Sequence, residues 1–171
     1  MEELGRKSIN EFKQADKLPI IVVLENIRSG YNVGSVFRTA DAFLLKAIYI
    51  CGYTAHPPHK EIKKTALGAE ETVEWKYFKK IEDCIRELRD LDYHIYSVEQ
   101  TMDSHPLQHV EFKSEEQLAV IFGNEVTGVE QSTIELSDGC IEIPQLGMKH
   151  SLNISVAAGI VLWELIRTRI D

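Results

Sequence analysis

The feature that most constrains the fold is a run of apolar, mainly β-branched residues, Pro19-Ile-Ile-Val-Val-Leu24. A continuous run of this kind is typical of a strand that is buried on both faces of a parallel sheet. Similar runs follow at residues 47–51, 93–98, 118–122 and 140–143, and helical segments separate most of them. This alternation predicts an α/β fold built on a parallel sheet.

Two helical segments differ in how they should be covered. Residues 81–91 have the apolar spacing of an amphipathic helix with one wet side. The last helix, predicted to begin near Ser151, is apolar on more than one side and includes Trp163. We expect its own sheet and a second subunit to bury it.

The 171 residues contain no repeat, low-complexity tract or Gly/Ser linker. We expect a short N-terminal extension at residues 1–18 and a single domain at residues 19–171. No apolar run approaches the roughly 18 residues of a membrane span, and the amino terminus lacks a signal-peptide apolar region. The prediction is a soluble, cytoplasmic protein.

The formal net charge of −8 taken alone disfavours a nucleic-acid partner, but the charge is unevenly distributed. Residues 1–80 carry a net charge of +3, whereas residues 81–138 carry −11. The first part of the chain can therefore offer a positive surface to RNA.

The three cysteines, Cys51, Cys84 and Cys140, are far apart and form no Cys-x-x-Cys spacing. We expect them to be buried and reduced, and we predict no metal site.

Three segments carry polar residues where open α/β sheets place their sites. The first, residues 25–40, follows a strand, turns with Gly30 and Gly34, and should direct Asn32 and Arg38 into the crevice. The alternative is a helix cap with Arg38 in a surface ion pair. The glycine order does not fit a dinucleotide fingerprint.

The second segment, residues 118–128, is a buried strand that ends in Gly123-Asn124-Glu125. The glycine would let a ligand approach the backbone, and Glu125 is expected to orient an arginine or a loop. The alternative is a turn in which Glu125 has a capping role.

The third segment, residues 141–158, is a strand that ends at Pro144, then a loop, then a helix opened by Ser151 or Asn153. The helix N-terminus favours an anionic ligand group, and a plain helix cap is the alternative.

Taken in this order, the three segments closely resemble the signature motifs of the SpoU/TrmH branch of the SPOUT methyltransferases. Residues 52–60 and 64–73 are also similar to family sequence. The resemblance implies an α/β fold with a C-terminal trefoil knot, a homodimer, and S-adenosyl-L-methionine (SAM) bound in the knotted loops. It places the cofactor against Val98, Glu99, Gly123, Asn124, Ile143, Ser151 and Leu152.

The resemblance further implies methylation of a ribose 2′-hydroxyl in tRNA or rRNA, with tRNA favoured. The implied catalytic residues are Asn32, Arg38, Glu125, Ser151 and Asn153. In the family the site is completed across the dimer, so Arg38 would act on SAM held by the other subunit. An arginine stays protonated, so Arg38 would hold a phosphate or polarise the hydroxyl.

Other interpretations of the chemistry are possible, and the residues expected to contact RNA are basic. Methylation of another RNA position and a knotted RNA-binding or assembly protein without turnover are the alternatives, and His56, His59 and His150 are alternative bases. The RNA-binding residues we expect are Arg28, Arg38, Lys60, Lys63, Lys64 and Lys149.

Overall fold

A computed structural model describes residues 7–148 and 151–170. In this part of the chain, seven strands form one sheet in which every neighbouring pair is parallel. The α/β fold with a parallel sheet is therefore confirmed. The strands are β1 (Leu18–Glu25), β2 (Leu45–Cys51), β3 (Trp75–Phe78), β4 (His94–Val98), β5 (His105–Pro106), β6 (Leu118–Phe122) and β7 (Gly139–Glu142).

Helices connect these strands, and a short 3-10 helix at Leu107–His109 follows β5. Of the two residues predicted to open the last helix, Asn153 and not Ser151 is its N-cap, and residues 151–153 have no regular secondary structure. The α-helices are α1 (Ile9–Gln14), α2 (Gly30–Ala42), α3 (Lys60–Ala66), α4 (Ala69–Thr72), α5 (Ile81–Asp90), α6 (Gln131–Leu136) and α7 (Ile154–Ile166).

The strand order is β3-β2-β1-β6-β4-β7-β5. The chain thus moves outward from β1 to β3, crosses to β4 and β5, and returns to fill the positions beside β1 and β4. Because all strands are parallel, the loops after β1, β6, β4 and β7 leave from the same edge. The connection from β1 runs to one side of the sheet and that from β6 to the other, so the order of strands reverses between them. Open α/β sheets bind ligands at such a switch point.

The two faces of the sheet bury separate apolar clusters, which explains the continuous runs in the sequence. In β1, Val22 packs in the cluster with Phe37 of α2 and Leu162 of α7, whereas Val23 packs in the cluster with Leu88 of α5. Every second residue of a strand points to the same face, so strands covered on both faces have no polar alternation.

The five predicted strands are all present, with ends shifted by at most two residues. β3 and β5 were missed. β3 is an edge strand whose Lys76 and Tyr77 are exposed, and β5 has only two residues, so neither shows the continuous apolar run of a central strand. The three cysteines are free and buried, as predicted.

One side of α7 is uncovered within the single chain. Val156, Ile160 and Trp163 are 50%, 40% and 51% exposed, and their spacing places them on one stripe. Among the residues that the structure describes, no helix is long and apolar enough to cross a membrane.

Candidate functional site

Three loops meet at the carboxyl edge of the sheet, and Glu125 joins two of them. Its carboxylate accepts hydrogen bonds from the backbone N–H groups of Arg28 at 3.0 Å and Ser29 at 3.3 Å. It also accepts one from the side-chain amide of Asn32 at 3.2 Å. Glu125 therefore orients a loop, one of the two roles predicted for it, and no hydrogen bond from an arginine side chain reaches it among the described residues.

These contacts also determine the protonation of Glu125. Partial burial alone would raise the pKa of its carboxyl group. Hydrogen bonds from the N–H of Arg28, its own N–H, the amide of Asn32 and the N–H of Ser29 together outweigh burial, so the pKa lies below its ordinary value. Glu125 is thus an ionised carboxylate beside the N-terminus of α2.

The third loop joins through Asn153. Its side-chain amide donates to the Asn32 side-chain oxygen at 3.1 Å. Its own side-chain oxygen accepts from Ser155 N–H at 2.9 Å and so caps α7. Asn32 consequently bridges Glu125 and Asn153, and the three predicted segments form one hydrogen-bonded network.

Asn124 holds the turn beneath this network, and it is only 6% exposed. Its side-chain oxygen accepts the N–H groups of Val126 at 2.8 Å and Thr127 at 3.1 Å. Its amide donates to the carbonyl of Asn26 at 2.8 Å and to the Tyr53 hydroxyl at 2.6 Å. The side chain thus ties the loop after β6 to the loops after β1 and β2.

Gly123 and Gly128 pack too closely for any side chain. A Cβ on Gly123 would lie 2.2 Å from the carbonyl carbon of Gly128, and one on Gly128 would lie 2.1 Å from a Glu99 carboxylate oxygen. That oxygen accepts the N–H of Val129 at 3.1 Å. The loops after β4 and β6 are therefore locked together.

A cleft of about 240 Å³ opens between these loops. All seven residues predicted to bind a cofactor line it, namely Val98, Glu99, Gly123, Asn124, Ile143, Ser151 and Leu152. Sequence reasoning missed other lining residues, including Phe122, Val126, Glu142 and Ile154. Phe122 and Glu142 end β6 and β7, so the rule that sites lie at carboxyl ends of strands could have found them.

Contrary to the expectation for the first segment, Asn32 does not line this cleft, and neither does Arg38. Arg38 lies two turns into α2, is exposed, and lines a separate hollow with Thr39, Lys64 and Ser155. In the part of the chain that the structure describes, Arg38 forms no ion pair, so the alternative of a surface ion pair also finds no support.

The other basic residues predicted to contact RNA are dispersed around this edge. Arg28 is exposed in the loop before α2, and Lys60, Lys63 and Lys64 are exposed on α3. Lys149 lies outside the described residues, as does His150.

The two other histidines predicted as alternative bases have structural partners and do not line the cleft. His59 Nδ1 accepts the N–H of Glu61 at 3.3 Å and caps α3. The ring of His56 stacks on Trp75.

Glu25, at the carboxyl end of β1, is a buried acidic residue that the sequence did not reveal. It is 2% exposed at the end of β1, accepts the Thr133 hydroxyl at 2.6 Å, and accepts the N–H of Glu130 at 3.3 Å. Burial raises the pKa of its carboxyl group, and these two hydrogen bonds only partly oppose that rise. A lone acidic residue at the end of an apolar strand was the available signal.

Comparison with known proteins identifies related sequences and structures over most of the chain. The model of the SpoU rRNA Methylase family matches residues 19–163. A tRNA (guanosine(18)-2′-O)-methyltransferase of Thermus thermophilus is 30% identical over 168 residues, which is 98% of this chain and 84% of that protein. A 23S rRNA (guanosine-2′-O-)-methyltransferase of Haemophilus influenzae is 31% identical over 99% of this chain and 68% of its own length.

Solved structures are similarly close. An AdoMet-bound rRNA methyltransferase from Sinorhizobium meliloti superposes with a TM-score of 0.83 at 26% identity, and the match covers 97% of this chain but 62% of that one. A TrmH/SpoU tRNA modifying enzyme of A. aeolicus gives a TM-score of 0.83 at 25% identity, with 94% of this chain and 80% of the other covered. This chain therefore belongs to the SpoU rRNA methylase family.

Proposed function

We propose that this protein is an RNA methyltransferase that transfers the methyl group of SAM to a ribose 2′-hydroxyl. The observation that carries the proposal is the Asn153–Asn32–Glu125 chain of hydrogen bonds, which joins the three predicted segments beside a cleft that the second and third of them line. The named functions of the relatives from Thermus thermophilus and Haemophilus influenzae support the same reaction.

The cleft suits SAM in both shape and charge. Phe122, Ile143 and Leu152 offer apolar contact to an adenine ring, and backbone groups of the tight loops offer hydrogen bonds. Glu99 and Glu142 place carboxylates near a ligand whose sulfonium and amino groups are cationic. When bound, SAM supplies an activated methyl group.

The Asn153–Asn32–Glu125 network would position the loops and not remove the proton. The Glu125 carboxylate accepts three hydrogen bonds and has a lowered pKa, so it is a weak base. The side-chain oxygen and nitrogen of Asn124 are likewise both engaged in hydrogen bonds within the protein, so we assign it a positioning role. Its predicted contact with the cofactor is not supported by a free side-chain group.

Arg38 would act on a site other than that of its own chain. Because it points into a separate hollow with Ser155, it is available to a ribose or phosphate presented from a partner. A guanidinium offers planar, paired donors that suit a phosphate, and it can polarise the attacking hydroxyl.

The partner would be a second copy of this chain, docked on the α7 stripe. Val156 lines both the Arg38 hollow and a neighbouring apolar hollow with Ile160 and Trp163, so a dimer contact there would bring Arg38 close to the interface. Burial of these three half-exposed apolar residues would favour association.

We further propose three features that follow from family membership. The segment after β7 threads through a loop to form the trefoil knot, residues 19–171 form one methyltransferase domain behind a short extension, and the protein works in the cytoplasm. Within the extension, Phe12 is buried against the main core, so at least this part packs on the domain.

The test is transfer of tritiated methyl groups from SAM to total tRNA and, separately, to rRNA, followed by digestion to nucleosides. We expect a 2′-O-methyl nucleoside, with tRNA as the favoured pool. Methylated bases alone, or no transfer to either pool, would contradict the proposed reaction.

Two variants separate catalysis from folding. Arg38→Ala should abolish transfer, and Arg38→Lys should fail too if paired donors are needed. Both should bind SAM normally by calorimetry, because Arg38 lies outside the cleft. Near-normal turnover of Arg38→Lys would contradict the role given to the guanidinium.

A further inference from the structure

A row of aromatic rings extends from the candidate site to the edge of the sheet. The Tyr53 hydroxyl accepts a hydrogen bond from the Asn124 amide. The carbonyl of the preceding residue, Gly52, accepts one from the Tyr77 hydroxyl at 2.9 Å. The ring of His56 lies 4.9 Å from that of Tyr77 and 5.7 Å from that of Trp75, measured between ring centroids. We call Tyr53, His56, Trp75 and Tyr77 the aromatic row.

Much of this row faces solvent. Tyr53 is 64% exposed and Tyr77 is 41% exposed, and His56 is also exposed. Trp75 and Tyr77 stand on the same face of β3 because they are two residues apart in a strand. β3 is the edge strand, so no neighbouring strand covers this end of the sheet. Exposed rings grouped in this way are unusual unless they contact something.

The loop that carries Tyr53 and His56 is held firmly. The buried Thr54 hydroxyl donates to the carbonyl of Leu24 at 3.2 Å and accepts the N–H of Ile27 at 2.8 Å. Asn26 accepts the N–H of Tyr53 at 3.2 Å. Because these bonds fix the loop to the end of β1, the rings are oriented before any ligand arrives, which reduces the entropic cost of binding.

The charges beside the row favour a polyanion. Lys79 and Lys80 are exposed directly after β3, and neither forms an ion pair among the residues described. Of the acidic side chains that flank this segment, Glu87 pairs with Lys76 and Asp83 pairs with Arg86 at 3.2 Å, whereas the exposed Glu74 and Glu82 form no ion pair among the described residues. Free lysines next to exposed rings form the combination that binds single-stranded nucleic acid.

We propose that the aromatic row stacks an unpaired base of the RNA substrate, on the strand next to the nucleotide to be methylated. The inference rests on the proposed function, because it is the link from Tyr53 to Asn124 that connects the row with the methyl-transfer site. Stacking on aromatic rings is indifferent to sequence but requires an unpaired base. The row would thus select a loop or bulge over a helix.

The test is binding of an unstructured single-stranded RNA of about 10 nucleotides, and of its duplex, by fluorescence anisotropy. The variants are Tyr77→Leu and His56→Ala, and Tyr77→Phe is the matched control because it removes the bond to Gly52 but keeps the ring. We expect Tyr77→Leu and His56→Ala each to weaken single-strand binding at least about fivefold. Tyr77→Phe should bind as the wild type does.

Calorimetric SAM binding, unchanged in all three variants, reports that they are folded. Equal single-strand affinity of all variants and wild type would overturn the proposal, as would equal losses on single strand and duplex. A changed oligomeric state with unchanged RNA binding would also overturn it and would identify a protein-docking surface. Methyl transfer by the wild type is scored separately, so its absence refutes the proposed function and not the stacking.

Discussion

Replacing Asn124 by alanine tests whether the loop after β6 depends on a single side chain. The substitution removes four hydrogen bonds, two donated by the amide and two accepted by the oxygen. A hydrogen bond contributes about 0.5–1.5 kcal/mol net, so the four together contribute about 2–6 kcal/mol.

Solvent access narrows this range. Val126 is 73% exposed and Tyr53 is 64% exposed, so water can replace part of the bonding at these two partners once the amide is gone. Thr127 is exposed as well, so only the carbonyl of the partly buried Asn26 loses its partner in a less accessible place. We therefore expect Asn124→Ala to lower the free energy of unfolding by about 2–4 kcal/mol.

The assay is urea unfolding, in which the midpoint should fall while the slope is unchanged. Gln131→Ala is the matched control, because it removes an amide whose bond to Glu135 at 3.2 Å lies on the surface. The control should change stability by less than about 0.5 kcal/mol. A loss below about 1 kcal/mol for Asn124→Ala would refute the positioning role, because it would mean that the backbone alone holds the turn.

Three further predictions concern packing and ionisation. Gly34→Ala should cost about 1–3 kcal/mol in thermal unfolding, because its Cβ would lie 2.1 Å from Thr65 Oγ1 and 2.4 Å from the Ile62 carbonyl; an unchanged Tm would contradict the packing. Because the pKa of Glu25 is raised in the folded state, its stabilisation is present below its unfolded pKa and lost as pH rises through the folded pKa. Glu25→Gln should therefore gain stability relative to wild type as pH rises from about 4 to 7, and a constant difference in urea midpoint would refute this. The pKa of Glu125 is lowered, so its stabilisation is present above the ordinary value of 4.5 and lost as pH falls through the folded pKa. Glu125→Gln should be less stable than wild type at neutral pH and should converge with it in acid, whereas parallel pH profiles would count against an ionised Glu125.

The central strands were predictable because burial on both faces leaves a local signature. Residues 118–122 show this clearly, since every residue of β6 is buried and the predicted bounds agree with the structure. β3 was not predicted because its residues are those of an exposed edge strand. The aromatic row could not be predicted either, because it combines Trp75 and Tyr77 of β3 with rings of the loop after β2, and only the tertiary structure brings the two segments together.

For the site too, some features could be predicted from the sequence and others could not. Asn32, Asn124, Glu125 and Asn153 could be selected from the sequence because each follows a strand or opens a helix and resembles a family motif. Their partners could not be selected, since Glu125 bonds to backbone groups 96 and 97 residues away and Asn153 bonds to a residue 121 positions away. The predicted direction of Arg38 was wrong for the same reason, because the cleft it was expected to face is built by other loops.

The sequence by itself determined the parallel α/β architecture and the segments that form the site, because buried strands and loop glycines leave local patterns. Only the tertiary structure decided which loops meet. Insertion of β6 between β1 and β4 brings the end of β6 beside the end of β1, and hydrogen bonds between distant segments then select one arrangement of the loops. Such contacts depend on strand order, which local periodicity does not encode.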